Sequence, residues 1–527
     1  MSNPSPRRPF ARARAWLALP LLIAAAWSFT CACEPLASTT TTTGADIRPP
    51  AVAGSFYPKE PGRLQAAVKA FLADAVPARG TRPVALVLPH AGYLYSGQIA
   101  ADGWRQVQGQ AYDLVVLLGT NHTTAGFAGA AVSPAGGFRT PLGVAEVDGK
   151  AAAALRAADR AIVVDAAVHE REHSIEVQVP FAQTALPGVP ILPVVVSSED
   201  PATCARIGQA LARALAGRRP LIVASSDLSH YPGYDAARAA DGAVLAAMTR
   251  LDPAALHGTI AAQMRAGHRG LETCACGEGA VLVALEAARA LGARRGVVLS
   301  WANSGDMAVG DRSRVVGYGA VMLAAGPGGA DTSVLAPAAE APADAPLTPG
   351  DRRALLALAR RTLERWFATS TVPLPRGLSP ATARRQGAFV TLLERGELRG
   401  CIGHMAEDLP LAQTVESMAL AAAFEDTRFA QLAPGELKDV EIEISVLTPL
   451  QRVAGPGAVV IGRDGVQIRK AGRAAVFLPQ VPVEQGWDLN ALMENLCLKA
   501  GLPKDAWKSG AEFWTFRSIL FRESELR

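Results

Sequence analysis

The chain predicts an α/β fold, a mostly parallel sheet with helices on both faces, joined to a second, smaller α+β domain. Three observations carry this. Between Ile47 and Leu323, short continuous apolar runs alternate with Ala-rich segments of helical period, the pattern of βαβ units whose strands are buried on both faces. Several of those runs end abruptly in a histidine or an acidic residue within a small-residue turn, the edge where open α/β sheets bind ligands. From Ala324 to Leu347 the periodicity gives way to an Ala/Pro/Gly-rich stretch, and beyond it hairpin patterns mix with helices.

Composition bounds the function classes. The 527 residues suffice for several domains, and 50% apolar with 19% charged residues is the balance of globular folds. The net charge of +4 comes from arginines dispersed through Ala-rich segments, with no basic run interleaved with aromatics. Nucleic-acid binding therefore has little support, and no nucleic-acid partner is expected. Seven cysteines, irregularly spaced, do not make a disulfide scaffold. Cys204 and Cys497 read as small buried apolar residues, and Cys274-Ala275-Cys276 lacks the spacing of a zinc ribbon or a redox pair.

In chain order, Arg7, Arg8, Arg12 and Arg14 precede an apolar run from Ala15 to Phe29 and then Cys31 and Cys33, the layout of an export signal over residues 1–33. Arg7-Arg8-Pro9-Phe10 resembles a twin-arginine signal, and the run is short for a membrane span, which takes about 20 apolar residues. Either Cys31 or Cys33 is a candidate lipidation site, although their flanks match a lipobox poorly, and the Thr-rich residues 34–46 read as a tether. The expectation is an exported, periplasmic or membrane-anchored protein that meets the membrane only through this segment. The alternative is a cytoplasmic one.

The first domain, residues 47–323, has strand runs at Val84–Leu88, Leu114–Leu118, Ile191–Val196, Leu221–Ala224, Val297–Ser300 and Val315–Met322. Helical patterns fall at Gly62–Leu72, Lys150–Ala158, Pro201–Ala216, Ala236–Thr249 and Gly279–Leu291. Residues 324–347 form the linker. The second domain, 348–527, opens with a helix over Asp351–Ala368. Two hairpins are expected, Ala388–Leu393 with Leu398–Ile402, and Val459–Ile461 with Val466–Ala471 turned by Asp464-Gly465. Helices at Leu409–Phe424 and Gln485–Ala500 and strands at Val440–Leu447 and Ala474–Leu478 complete it.

The chemistry gathers at the strand ends. Val84–Leu88 stops at Pro89-His90, Leu114–Leu118 runs into Asn121-His122, Leu221–Ala224 into Ser225-Ser226-Asp227-Leu228-Ser229-His230, and Val297–Ser300 into Asn303-Ser304-Gly305-Asp306. An alternating polar set, Glu172-His173-Ser174-Ile175-Glu176-Val177-Gln178, and Cys276-Gly277-Glu278 at a helix start join them. Five of the eight histidines, His90, His122, His169, His173 and His230, lie in or beside these motifs. Parallel strands bring their carboxyl ends to one crevice. Two imidazoles plus one anion, with open positions, suit a redox-capable non-haem metal such as Fe(II). The anion is Asp227, Glu176 or the thiolate of Cys276, whose place at a helix N-terminus lowers a thiol pKa.

P-H-A-G-Y-L-Y-S-G at His90, L-G-T-N-H at His122, E-H-S-I-E-V-Q-V-P-F at His173, S-S-D-L-S-H-Y at Asp227, C-G at Cys276 and N-S-G-D with V-V-G-Y-G-A between Asn303 and Ala320 together resemble the Memo family over Ile47–Leu323. That family is similar in fold to class III extradiol dioxygenases. The resemblance implies a metal held by His90, His122 and Cys276, with Asp227 and His230 lining the pocket. A cysteine in place of the dioxygenase glutamate departs from ring-cleavage chemistry. Memo-like proteins are described as iron- or copper-binding redox proteins, and in animals as signalling proteins that bind phosphotyrosine peptides. Asp227 and His230 are then expected to move or orient protons, and His173 to support them as a hydrogen-bond donor.

In the second domain, Leu398-Arg399-Gly400-Cys401-Ile402-Gly403-His404 flanks a cysteine with glycines, so that backbone or ligand approaches the thiol closely. Cys401 is the candidate nucleophile, with Arg399 and His404 expected to lower its pKa. With A-F-E-D-T-R-F at Ala423–Phe429, E-I-S-V-L-T-P at Glu443–Pro449 and F-L-P-Q-V at Phe477–Val481, this motif resembles the AMMECR family. Memo-like and AMMECR-like proteins are linked with a radical SAM protein as the AmmeMemoRadiSam system, which implies such a protein as partner. The resulting expectation is an Fe(II)- or Cu-dependent redox or oxygen-using protein acting on a small molecule. The alternatives are a peptide- or anion-binding module and a metal carrier using the same crevice.

Overall fold

A computed structural model describes residues 46–336 and 346–525. The expected export signal, the tether apart from Asp46, and the middle of the linker lie outside the described residues. Among the described residues no helix is long and apolar enough to cross a membrane.

Nine strands form the main sheet: β1 (Pro83–Leu88), β2 (Leu114–Thr120), β3 (Ala130–Val132), β4 (Ile162–Val164), β5 (Ile191–Val196), β6 (Pro220–Ser225), β7 (Arg295–Asn303), β8 (Gly317–Ala324) and β9 (Gly329–Asp331). Their spatial order is β9-β7-β8-β1-β6-β2-β5-β3-β4. The four central strands, β1, β6, β2 and β5, run parallel. β8 lies antiparallel between β7 and β1, so β7 again points with the central strands. β3 and β4, which the sequence reading did not anticipate, close one edge with β3 antiparallel to β5. The carboxyl ends of β1, β2, β6 and β7 therefore lie on one side, where the motif residues were expected to meet.

Helices cover both faces. The helices α1 (Pro61–Ala73) and α2 (Tyr93–Trp104) pack on one face; α3 (Pro201–Ala214), α4 (Tyr234–Met248) and α5 (Glu278–Ala290) pack on the other. Side chains of β2 alternate between the two cores, with Leu114, Val116 and Leu118 in one and Val115 and Leu117 in the other. All five are fully buried, which is why the strand reads as unbroken apolar sequence. The α2 helix lies close against α1 and β1 because it carries glycine at the contacts. A Cβ on Gly97 would stand 2.6 Å from the Phe71 ring, and one on Gly103 2.2 Å from the Leu88 side chain.

The second domain opens with α6 (Pro349–Thr369), whose Thr348 and Asp351 form a reciprocal capping box. Two four-stranded antiparallel sheets follow. Strands β10 (Ala388–Glu394), β11 (Glu397–His404), β12 (Val440–Leu447) and β17 (Ser518–Arg522) lie in the order β11-β10-β12-β17. Strands β13 (Gln451–Val453), β14 (Gly465–Lys470), β15 (Arg473–Phe477) and β16 (Glu512–Phe516) lie in the order β13-β16-β14-β15. Helix α7 (Leu411–Phe424) packs against α6 and the first sheet, and α8 (Leu489–Lys499) against the second. The first expected hairpin forms. The second does not: Val459–Ile461 is no strand, and β14 pairs instead with β15 and β16. Asp464 explains the difference, because its carboxylate accepts from the Val460 N–H at 3.0 Å and closes a tight loop instead of a ladder.

Candidate metal centre

The site grows from three strand ends, those of β1, β2 and β6, joined by a helical turn and a helix start. His90 follows β1 and is buried. The Ser225 hydroxyl, at the end of β6, donates its one hydrogen to the Ser174 carbonyl at 2.7 Å and accepts from the Gln178 amide at 3.1 Å. The His90 Nδ1 at 3.2 Å must therefore donate to Ser225, which puts the ring's lone pair on Nε2. That nitrogen lies 3.1 Å from the Cys276 Sγ. His122 follows β2, and its Nδ1 lies 2.9 Å from a Glu172 carboxylate oxygen, an acceptor only, so Nδ1 carries a hydrogen and the lone pair of the neutral ring falls on Nε2.

Glu172 also accepts from the His122 N–H at 2.7 Å and the Ser174 N–H at 2.8 Å. Burial pushes its carboxyl up, but these hydrogen bonds and the His122 imidazole outweigh it and hold the pKa at about 2. His173 stacks on His122 with ring centroids 4.5 Å apart and lies 5.5 Å from the His90 ring. Burial, with the neighbouring imidazole, lowers the His173 pKa, and the same two causes hold the His90 pKa well below its usual value. His90 and His173 are thus kept in the neutral, ligating form.

Among the described residues two groups offer ligand atoms within 4.8 Å of one another: His90 with His122 and His173, and His90 with Asp227 and Cys276. His90 is common to both. The expected trio of His90, His122 and Cys276 is thereby divided between two groups that share one imidazole, and His173, expected as a supporting donor, stands among the three imidazoles. Asp227 sits under His90, its carboxylate accepting from the His90 N–H at 2.7 Å and the Ala91 N–H at 3.3 Å. Burial raises its pKa to about 7 against these hydrogen bonds.

His230 is pinned between two backbone partners, Thr273 and Val316, beside the left-handed Tyr231. Its Nε2 is buried with no hydrogen-bond partner, and burial, then His122, lowers its pKa to about 4. Cys276 approaches because the next residue is glycine: a Cβ on Gly277 would stand 2.5 Å from the Ser225 carbonyl oxygen. The expected lowering of the Cys276 pKa is corrected by the structure. Burial and the neighbouring Asp227 push the thiol well above its usual value and outweigh the helix field.

Glu176, considered above as an anionic ligand, is occupied elsewhere. It accepts from the Arg48 guanidinium and the Tyr57 hydroxyl at 2.6 Å each, from the Ala51 N–H at 2.8 Å and from the Val52 N–H at 3.0 Å. His169 is a structural residue, its Nε2 lying 3.0 Å from the Ala131 carbonyl oxygen. Sequence reasoning gave no role to Ser225, Gln178 or Glu172. The one available signal was that each lies within a motif already quoted.

In the second domain, Cys401 lies on β11. The Thr391 hydroxyl donates to its Sγ at 3.2 Å, Asp426 accepts from its N–H at 2.9 Å, and Arg428 donates to its carbonyl oxygen at 3.1 Å. Burial raises its thiol pKa, eased by Thr391 and Arg428. The expected activators are engaged elsewhere, Arg399 with Glu436 and His404 with Asp408. Arg428 acts on this thiol, and Lys499 is within electrostatic reach of it as well.

Fold and site define a two-domain α/β protein with a candidate metal-binding group at the carboxyl edge of its main sheet. Residues 48–322 match the model of the Memo-like protein family and residues 356–521 that of AMMECR1. A MEMO1 family protein from Methanothermobacter thermautotrophicus is 35% identical over 282 residues, 52% of this chain and 98% of that one. Relatives described in the same words from Aquifex aeolicus and Aeropyrum pernix are 37% identical over 273 residues and 38% identical over 290 residues. Those matches cover 52% of this chain and 97% of the Aquifex protein, and 53% of this chain and 99% of the Aeropyrum protein. The chain belongs to the Memo-like family and carries an AMMECR1 domain behind it.

Proposed function

We propose that the Memo-like domain binds a redox-active transition metal, Fe(II) or Cu, at His90 and uses it for oxygen-dependent or redox chemistry on a small molecule. His122, His173 and Cys276 are the further ligands. The observation that carries this reading is that the other ring nitrogen of His90 and of His122 is engaged by a partner, which turns each Nε2 toward the ligand group. That second-sphere arrangement is what ligating histidines need. A cation beside Cys276 also offsets the burial that otherwise keeps its thiol protonated.

Such a metal supplies a Lewis-acidic, redox-active centre with open positions. The chain's own residues do the rest. Glu172 fixes the orientation of His122 and supports His173. Asp227, with a pKa near neutrality, holds or releases a proton beneath His90, and the unpartnered Nε2 of His230 is the nearby neutral base.

Metal analysis of the protein purified from its own cells, beside His90→Ala, His122→Ala, His173→Ala and Cys276→Ser, tests the reading. His90→Ala is expected to lose the metal entirely, and each of the others to lower its content. Unchanged content in His122→Ala and Cys276→Ser removes the assignment. Full metal content without O2 consumption on phenolic candidates assigns a carrier instead of an oxidoreductase.

A further inference from the structure

A cavity of about 700 Å³ lies where the two domains meet, lined from the first domain by Phe56, Lys59, Glu60, Arg63 and Tyr93 and from the second by Trp366. Its volume is that of small-molecule sites, roughly 300–1,000 Å³. Phe56, Tyr57, Tyr93 and Trp366 give its lining four aromatic residues, of which Phe56 and Trp366 are the two that are not buried.

The charge is basic: two cations face one carboxylate. Lys59 is exposed and has no ion-pair partner among the described residues, and Arg63 gives one Nη to the Phe367 carbonyl oxygen at 2.8 Å. Phe56 stands at the inner end, its ring centroid 4.8 Å from that of His173, so a single ring separates the cavity from the histidine group. Two partly exposed aromatic side chains and a net positive rim together suit a planar ring that carries an anionic group.

We propose that this interdomain cavity binds a small aromatic carboxylic acid, its ring between Phe56 and Trp366 and its carboxylate at Lys59 and Arg63. The AMMECR1 domain thereby completes a binding site on the Memo-like domain. Use of that acid at the histidine group rests on the metal reading above; its binding does not.

The test is calorimetric titration of the metal-free full chain with 2-naphthoate. Saturable one-site binding is expected. Affinity is expected to fall about tenfold in Trp366→Ala and in Lys59→Gln, and by a similar factor for neutral 2-naphthalenemethanol. Lys59 is exposed, so its variant keeps the test decisive should Trp366→Ala fail to fold. Absence of saturable binding overturns the proposal, as does equal affinity of wild type and Lys59→Gln. Metal content is read on separate, metal-loaded samples. A chain that binds 2-naphthoate but holds no metal loses only the metal reading, and a chain that holds metal but ignores 2-naphthoate loses only this one.

Discussion

The thiols of Cys276 and Cys401 show how burial sets the behaviour of single residues. Each is raised by desolvation, the first with Asp227 adding to it and the second with Thr391 and Arg428 easing it. A raised thiol pKa means less thiolate at a given pH and slower attack on an electrophile. Alkylation of Cys401 by iodoacetamide, followed by mass spectrometry of its peptide, is therefore expected to run slower than that of free cysteine at pH 8. It is expected to keep climbing beyond pH 9 and to slow further in Arg428→Ala. A rate above that of free cysteine would show an activated thiol and overturn this account. His90, His122 and Asp227 were legible in the sequence because each follows a strand with a polar side chain that a buried sheet would not otherwise carry, and His173 and Cys276 because they lie in polar motifs beside them. Their supports were not. Glu172 reaches His122 across 50 positions, and Gln178 reaches Ser225 across 47, and nothing local signals either hydrogen bond.

At the scale of elements, the segment from Glu172 to Gln178 reads in the sequence only as an alternating polar set, with no element assigned; it folds as a helical turn over His173–Glu176 that leads into a helix over Val179–Ala185. Side chains decide this: Glu172 caps the turn by accepting from the Ser174 N–H. Glu176 then holds the segment from Arg48 to Tyr57, which carries Phe56 to the edge of the histidine group. Arg48 and Glu176 are both buried, so removing the acid leaves a guanidinium without its counter-charge. Glu176→Ala is expected to lower stability in denaturant titrations by about 3–5 kcal/mol. A loss below about 1 kcal/mol, the range of an exposed pair, would mean that this strap is not anchored by the ion pair. The hairpin of β10 and β11 was legible for the opposite reason, since its two strands adjoin in sequence. The pairing of β14 with β16 joins residues more than forty positions apart, and local pattern cannot supply it.

At the scale of the whole molecule, the Ala/Pro/Gly-rich linker suggests two bodies free to move, but residues 45–527 form a single compact unit. Apolar contacts join them, with Leu94 and Ala308 of the first domain packed into the second domain's core, and polar contacts add specificity. Asp102 on α2 is fully buried, takes the Ser300 hydroxyl from its own domain, and receives Arg376 of the second domain through both guanidinium arms at 2.7 and 2.5 Å. Arg365 pairs with Asp74 and lies over the Phe71 ring. Gln413 on α7 donates to the carbonyl oxygens of Gly305 and Met307 at 2.7 and 3.0 Å, in the loop that leaves β7. The second domain thus grips the helix that follows His90 and the loop at the same sheet edge. Arg376→Ala strands a buried carboxylate and is expected to cost about 3–5 kcal/mol. Arg376→Lys is expected to recover only part of that, because a lysine cannot reproduce the two-armed contact. Scanning calorimetry should show one cooperative transition for the wild type and two for Arg376→Ala combined with Arg365→Ala. Two transitions in the wild type itself would show that each domain is stable without the other. Whatever the histidine group does would then proceed without the AMMECR1 domain. A single transition ties the sheet edge to that domain, so a molecule bound at the domain boundary acts on the same folded unit that holds His90.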